Sequence, residues 1–228
     1  MSYNAISFCL FGNIPMFTVG AVRNAELAKS IYPGWKIIFW LGDSVPDNIV
    51  KSLVGDGCDC RPSPTPNPMI GRFMVHDLPG VDRYIVRDTD SRLNEREALA
   101  VNEWIESGSK YHVIRDHPGH QVAMPGGLWG GTAGSFSMAS LIREWKGNKN
   151  AGVREQIYNN DQIFLRECVW PIIQDDVKQH DFCCRDIFRD GDTFPSKFDN
   201  WRFCGERFGA DDKPETYGWQ QRINWMDP

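Results

Sequence analysis

The chain has 228 residues, of which 41% are hydrophobic and 24% charged, with a formal net charge of -5 at pH 7. That length supports one large domain able to bury a core without covalent staples. The composition excludes a mainly disordered chain, and an acidic balance without a long basic run excludes a nucleic-acid footprint.

The apolar segment AISFCLFG (5–12) is short and has no basic region ahead of it. It therefore predicts a first strand ending in the turn Gly12-Asn13, not a signal peptide. Residues 16–34 have helical periodicity and stop at Pro33-Gly34. A second strand is expected over 36–43, and Pro46 then opens a short helix. The proline-rich CDCRPSPTPNP predicts a surface loop, MIGRFMVHDLPG a helix, and DRYIVRDTDSRL the next strand.

The helix over 94–108 carries the clearest signals: Asn94 and Glu97 as a capping box, and Gly108 as the stop. Residues 110–120 predict a strand running into a turn, and the glycine-rich 125–136 predicts a loop. SMASLIREWKG and NNDQIFLRECVWPII are helical in pattern. No repeat or strong linker divides the chain, so a single domain over 1–228 is expected, with an irregular C-terminal segment from about 178 to 228. Seven irregularly spaced cysteines, none in C-x-x-C, point to reduced thiols and a cytoplasmic location. No run is long enough for a transmembrane segment.

Alternating strands and helices predict an α/β fold with a mostly parallel central sheet flanked by helices. In such sheets ligands bind beyond the carboxyl ends of the strands. Here those ends read Gly12-Asn13, Gly42-Asp43, Asp88-Thr89-Asp90 and Arg115-Asp116-His117.

Asp88 and Asp90, two residues apart at a strand end, can aim at one volume. Unpaired, they repel and raise each other's pKa. A hard cation such as Mg²⁺ or Mn²⁺ removes that conflict, filling its other positions with phosphate oxygens and water. Arginines nearby suit phosphate. Two other readings use the same letters. Asp at a strand end is a common turn former. An apolar strand closing on D-x-D also suits a haloacid-dehalogenase-like phosphotransferase with Asp88 as nucleophile, although that motif normally closes the first strand and Ser91-Arg92 departs from it. An EF-hand is excluded, since Arg92, Leu93 and Leu99 stand where a ligand, the glycine and the glutamate belong.

RYIVRDTDSRLNEREALAVNEWIESG, YHVIRDHPGHQVAMPGGLWGG, NNDQIFL, HDFCC and FPSKFDNWRFCGERF together resemble small D-x-D glycosyltransferases of the GT-A fold, a group that includes viral capsid-glycosylating enzymes and bacterial relatives. The resemblance spans about residues 70 to 208. It implies a hexosyltransferase using a nucleotide-diphosphate-sugar donor, Mn²⁺ or Mg²⁺, and a glycan or other hydroxyl acceptor. A non-catalytic nucleotide- or sugar-binding module that kept the fold is the remaining alternative.

Carried over by position, Asp88 and Asp90 resemble the metal and donor ligands, with Asp90 the more direct metal ligand and Asp88 acting partly through the ribose. Phe11, Gly12 and Asn13 stand where such folds hold the base. Arg72 is placed to reach the diphosphate, and Arg87 to pair with the diphosphate or a neighbouring carboxylate. Gly126, Gly127, Trp129 and Gly130 match a G-G-x-W-G loop, whose glycines let the backbone approach a ligand and whose indole stacks on a sugar. His117 and His120 would meet donor phosphates or acceptor hydroxyls. Asp161 is either a helix N-cap or the catalytic carboxylate. His180 would complete the metal shell, although HDFCC lacks the usual glycines around it. The loop 61–68 or the tail 190–215 would serve as a lid.

Overall fold

Six of the eight residues of YNAISFCL are buried, the pattern of a strand covered on both faces. This strand, β1 (Tyr3–Leu10), is central. The computed structural model describes residues 2–147, 160–182, 184–185, 187–188, 191–197 and 202–215. Asn159, Cys183 and residues 198–201 of the segments quoted above lie outside them, as does the tail beyond 215.

Six further strands join β1: β2 (Lys36–Leu41), β3 (Asp59–Pro62), β4 (Val81–Arg87), β5 (Tyr111–Arg115), β6 (Leu128–Thr132) and β7 (Val177–Asp181). Their order across the sheet is β3-β2-β1-β4-β6-β5-β7. Every pairing is parallel except those of β6, which runs antiparallel between β4 and β5. The helices are α1 (Pro15–Ile31), α2 (Asp47–Gly55), α3 (Pro68–Gly71), α4 (Glu95–Ser107) and α5 (Met138–Gly147). A 3-10 turn, Arg72–Asp77, follows α3. The last helical stretch is α6 (Asn160–Phe164), a π segment (Leu165–Val169) and α7 (Trp170–Ile173).

Two cores cover the two faces. Tyr84, Val86, Trp129, Phe73 and Phe164 belong to one, and Ile6, Phe8, Ile85, Leu93 and Trp104 to the other. Within β4 the alternation sends Tyr84 and Val86 to one side and Ile85 to the other, so Arg87 follows Ile85 toward α4.

Helix α4 begins and ends as its sequence predicts. Asn94 Oδ1 accepts the Glu97 N–H at 2.9 Å, and Gly108 is left-handed with φ 77. The reciprocal half of the capping box is not made. Glu97 instead accepts from the Tyr32 hydroxyl at 2.8 Å and lies 2.8 Å from Arg87 Nε, both ion-pair side chains being 1% exposed.

Three strands depart from the sequence reading. β3 lies inside the proline-rich stretch taken for a loop. It is a sheet edge, where Pro62 removes no ladder bond the fold needs. β6 lies in the glycine-rich stretch, also taken for a loop. Its glycines are there because neighbours press in: a Cβ on Gly130 would stand 2.5 Å from the Tyr84 carbonyl oxygen. β7 falls in the segment taken as irregular, because VKQHD has no apolar signature. The helix expected over 69–80 is only one α turn followed by the 3-10 turn.

β7 is tied to β5 by a pair of fully buried histidines. His112 Nε2 and His180 Nδ1 share a hydrogen bond of 2.7 Å, and His180 Nε2 lies 3.4 Å from Glu103. Burial lowers the pKa of both, and it lowers that of His76, His117 and His120 as well. The sign follows directly. Below the unfolded value of 6.5 the unfolded chain takes up protons that the fold refuses. Stability is therefore complete above that pH and falls as pH drops, by at most ~1.4 kcal/mol per pH unit for any one histidine. The raised carboxylates of Asp90, Asp116 and Glu206 act in the opposite sense but are fewer. Melting curves at pH 7.5, 6 and 5 should show a steady decline, and a flat profile would contradict neutral buried histidines.

Candidate active site

The ends of β1 and β4 lie side by side at the middle of the sheet. From β1 the sheet continues through β2 on one side and β4 on the other, so their carboxyl ends border a switch point in strand order. A cleft of about 440 Å³ opens there, lined among others by Leu10, Phe11, Arg72, Asp88, Asp90 and Asp161.

Asp88 is the first residue past β4. The turn it opens is closed by Ser91, whose hydroxyl donates to the Asp88 carbonyl at 2.9 Å. Arg72 starts the 3-10 turn and is 2% exposed. Its Nη1 donates to the Asp88 carboxylate and to the Arg87 carbonyl at 3.2 Å, and its Nη2 donates to Asp161 Oδ2 at 2.7 Å. One guanidinium thus joins the end of β4 to the start of α6. Burial alone would lower the Arg72 pKa, but the charges of Asp88 and Asp161 outweigh burial and raise it. Asp161 is 6% exposed, and its other oxygen accepts the Gln162 N–H at 2.9 Å.

Gly126 and Gly127 let the backbone touch these carboxylates. A Cβ at 127 would stand 2.0 Å from Asp88 Oδ2, and one at 126 would stand 2.4 Å from Asp161 Oδ2. Asp88 is therefore held on both sides. Asp90 is less restrained: Arg207 Nε lies 3.9 Å from its Oδ2. Burial, then the Asp88 charge, push the Asp90 pKa up to about 6. Cys9 on the cleft floor has its thiol pushed up to about 12 by burial, which leaves it neutral and a poor nucleophile.

Three carboxylates against one buried arginine leave the cleft short of positive charge. Asp88 and Asp90 are the residues able to hold a divalent cation, and their oxygens are the hard donors that Mg²⁺ or Mn²⁺ prefers. Among the described residues no group of three or more His, Cys, Asp or Glu side chains is placed to bind a metal. That set fits a cation completed by phosphate and water rather than an all-protein cage.

No protein-family model and no curated protein matches the chain. Solved structures do. A glycosyltransferase involved in glycosylating the major capsid of PBCV-1 aligns with TM-score 0.51 at 12% identity, over 78% of this chain and 81% of that one. The glycosyltransferase GlyE of Streptococcus pneumoniae TIGR4 aligns with TM-score 0.51 at 14% identity, over 82% of this chain and 47% of that one. At these identities the likeness is one of fold.

The chain has the GT-A fold.

Within this GT-A sheet the other candidate residues separate. Phe11 is 42% exposed at the rim of the cleft, while the Gly12 N–H donates to Ser44 Oγ at 2.9 Å and Asn13 lies exposed beyond. Arg87 is not at the cleft. It is sealed under α4 with Glu97, because alternation along β4 turns it away from Asp88. Trp129 is a core residue: it is fully buried, with ring centroids 5.5 Å from Phe73 and 5.4 Å from Tyr84, so it offers no face to a sugar. Gly130 pairs with Ile85 within the sheet.

His117 and His120 brace the β5–β6 connection and do not line the cleft. His117 Nδ1 accepts the Gly119 N–H at 2.7 Å, and its ring stacks on Phe203 at 4.6 Å. His120 Nδ1 accepts the Asp116 N–H at 3.2 Å. Burial lowers their pKa values to about 4 and about 3, which removes any cationic role toward phosphate at neutral pH. His180 is bound to His112 in the sheet and is not grouped with the aspartates.

Gln162, Met69 and Phe17 line the cleft without having been singled out in the sequence, and Arg207 reaches Asp90 from a segment with no periodic signal. That segment is pinned to the D-x-D turn: the Phe208 N–H donates to the Asp90 carbonyl at 2.8 Å, and Asp212 accepts from Arg92 at 2.8 Å. A separate cavity of about 470 Å³ lies between α1, α4 and this segment. Its arginines are all paired: Arg23 and Arg92 with Asp212, Arg96 with Asp116, and Arg202 with Glu206.

Proposed function

We propose that the chain is a metal-dependent glycosyltransferase, moving a sugar from a nucleoside-diphosphate-sugar donor to a hydroxyl acceptor. The observation that carries this reading is the convergence of Asp88 and Asp161 on one buried arginine at the carboxyl ends of β1 and β4, with Asp90 lining the same cleft. Asp88 and Asp90 would hold Mn²⁺ or Mg²⁺, which when bound would supply Lewis-acid stabilisation of the leaving diphosphate. Phe11 offers its exposed ring to the base.

Arg72 fixes the two sides of the cleft at a set separation, so that donor and acceptor meet in one geometry. Asp161 accepts the proton of the acceptor hydroxyl as the new bond to the sugar forms. The electron pair of the broken bond leaves on the nucleoside diphosphate. No helix among the described residues is long and apolar enough to cross a membrane. A phosphotransferase using Asp88 as nucleophile is disfavoured, because Asp88 follows β4 and not the first strand, which that motif normally closes.

The test is a melting-temperature screen with UDP, GDP, TDP, ADP and CMP, each with Mn²⁺, with Mg²⁺ and with EDTA. Binding at 100 times Kd adds ~2.7 kcal/mol of stability. One nucleotide should raise the melting temperature only when metal is present, and Asp88→Ala should lose that rise. No rise for any nucleotide would overturn the proposal. Gly127→Ala should weaken the same binding by about tenfold or more through displacement of Asp88, as titration calorimetry would read.

A further inference from the structure

Beside the carboxylate cleft lies a third cavity of about 500 Å³, and Gln162 lines both. Its volume falls in the roughly 300–1,000 Å³ range of small-molecule sites. Gln121 and Gln162 supply two carboxamides, Met124 and Ile163 apolar wall, and Phe188 an aromatic ring. The one charged residue among the described residues of its lining, Arg166, has a side chain 67% exposed.

Two of these walls are braced by a single buried side chain. Arg115 is 0% exposed and held by Asp181 at 2.7 Å. Its Nη1 donates to the Ala123 carbonyl at 2.6 Å, and its guanidinium carbon lies 4.0 Å from the Phe188 ring centroid. The aromatic wall and the loop wall are therefore fixed relative to each other before anything binds. Gln162, at the junction, directly follows Asp161, the carboxylate clamped by Arg72.

Resting on the transferase reading above, we infer that this cavity seats the acceptor and that its occupant is a neutral sugar unit. Carboxamides donate and accept in pairs, as vicinal hydroxyls require. An aromatic ring covers the apolar face of a pyranose. Among the described residues no carboxylate lines the cavity to select a cationic ligand. A sugar seated there presents a hydroxyl past Gln162 to Asp161. Its oxygen bonds the anomeric carbon of the donor, the carbon–diphosphate bond breaks with its electrons on the leaving group, and the hydroxyl proton passes to Asp161.

The experiment is saturation-transfer NMR on the full chain with the methyl α- and β-glycosides of glucose, galactose and mannose. Wild type is compared with Gln121→Ala, Phe188→Ala and Phe188→Tyr, and the nucleotide melting shift is recorded for each. At least one glycoside should bind wild type, about tenfold more weakly after Phe188→Ala, with recovery in Phe188→Tyr. Gln121→Ala should weaken the same glycoside. Absence of binding by every glycoside, or equal binding by wild type and both alanine variants, overturns the assignment. Glycoside binding that depends on Phe188, with no nucleotide shift in wild type, would sink the transferase reading while still supporting a sugar site.

Discussion

Asp90→Asn should make the nucleotide-free protein more stable at pH 7.5 and abolish the metal-dependent stabilisation by nucleotide. Both effects come from one cause. The Asp90 pKa is raised from 3.8 to about 6, first by burial and then by the Asp88 charge, so above pH 6 the fold holds a carboxylate it disfavours. The cost exists above the folded pKa and is relieved as pH falls through it. A shift of two units corresponds to ~3 kcal/mol, and partial exposure reduces that to about 1–2 kcal/mol. The side chain is 27% exposed. Asparagine removes the charge and keeps the shape, so the gain should be seen at pH 7.5 and vanish near pH 4. A residue that costs stability in the empty fold is what a ligand site requires. Equal melting temperatures for variant and wild type across that pH range would refute the charge argument. A retained metal-dependent shift in the variant would refute the assignment of Asp90 to the metal.

Arg72→Met should be the most destabilising single change at the site, costing about 3–5 kcal/mol because it leaves a buried carboxylate without its cation. Asp161, 8% exposed at the side chain, carries most of that cost. Asp88 carries little, since its side chain is 45% exposed. For a chain of this size the melting temperature should fall by roughly 6–20 °C. Pairing the change with Asp161→Asn should recover a large part of the loss, since the two residues are in contact and their effects do not add. Urea unfolding of the four proteins of this cycle measures the coupling. Additive losses would mean that the clamp between β4 and α6 contributes nothing as a pair.

Much of this fold was legible in local sequence. Runs such as KIIFW in β2 are apolar because both faces of a central strand are covered. Asn94 and Gly108 mark the ends of α4 through bonds that reach only a few residues. Asp88-Thr89-Asp90 declared a strand end with paired carboxylates, and the chain places that end at the switch point of the sheet.

What tertiary structure alone decided lies in contacts between distant residues. Trp129 sits in a glycine-rich segment that, by its letters, suits a sugar-binding loop as well as a strand. It is a core residue because β6 inserts antiparallel between β4 and β5. Arg87 and Asp88 are neighbours in sequence, but Glu97 on α4 takes one, while Arg72 and the cleft take the other. The partner that pairs Arg72 with Asp161 is 89 residues away, and the one that binds His112 to His180 is 68 away. Local propensity reports which residues suit a strand, a cap or a turn. Which carboxylate an arginine reaches, and whether a histidine meets a metal or another histidine, depends on strand order and packing, which no short window of sequence contains.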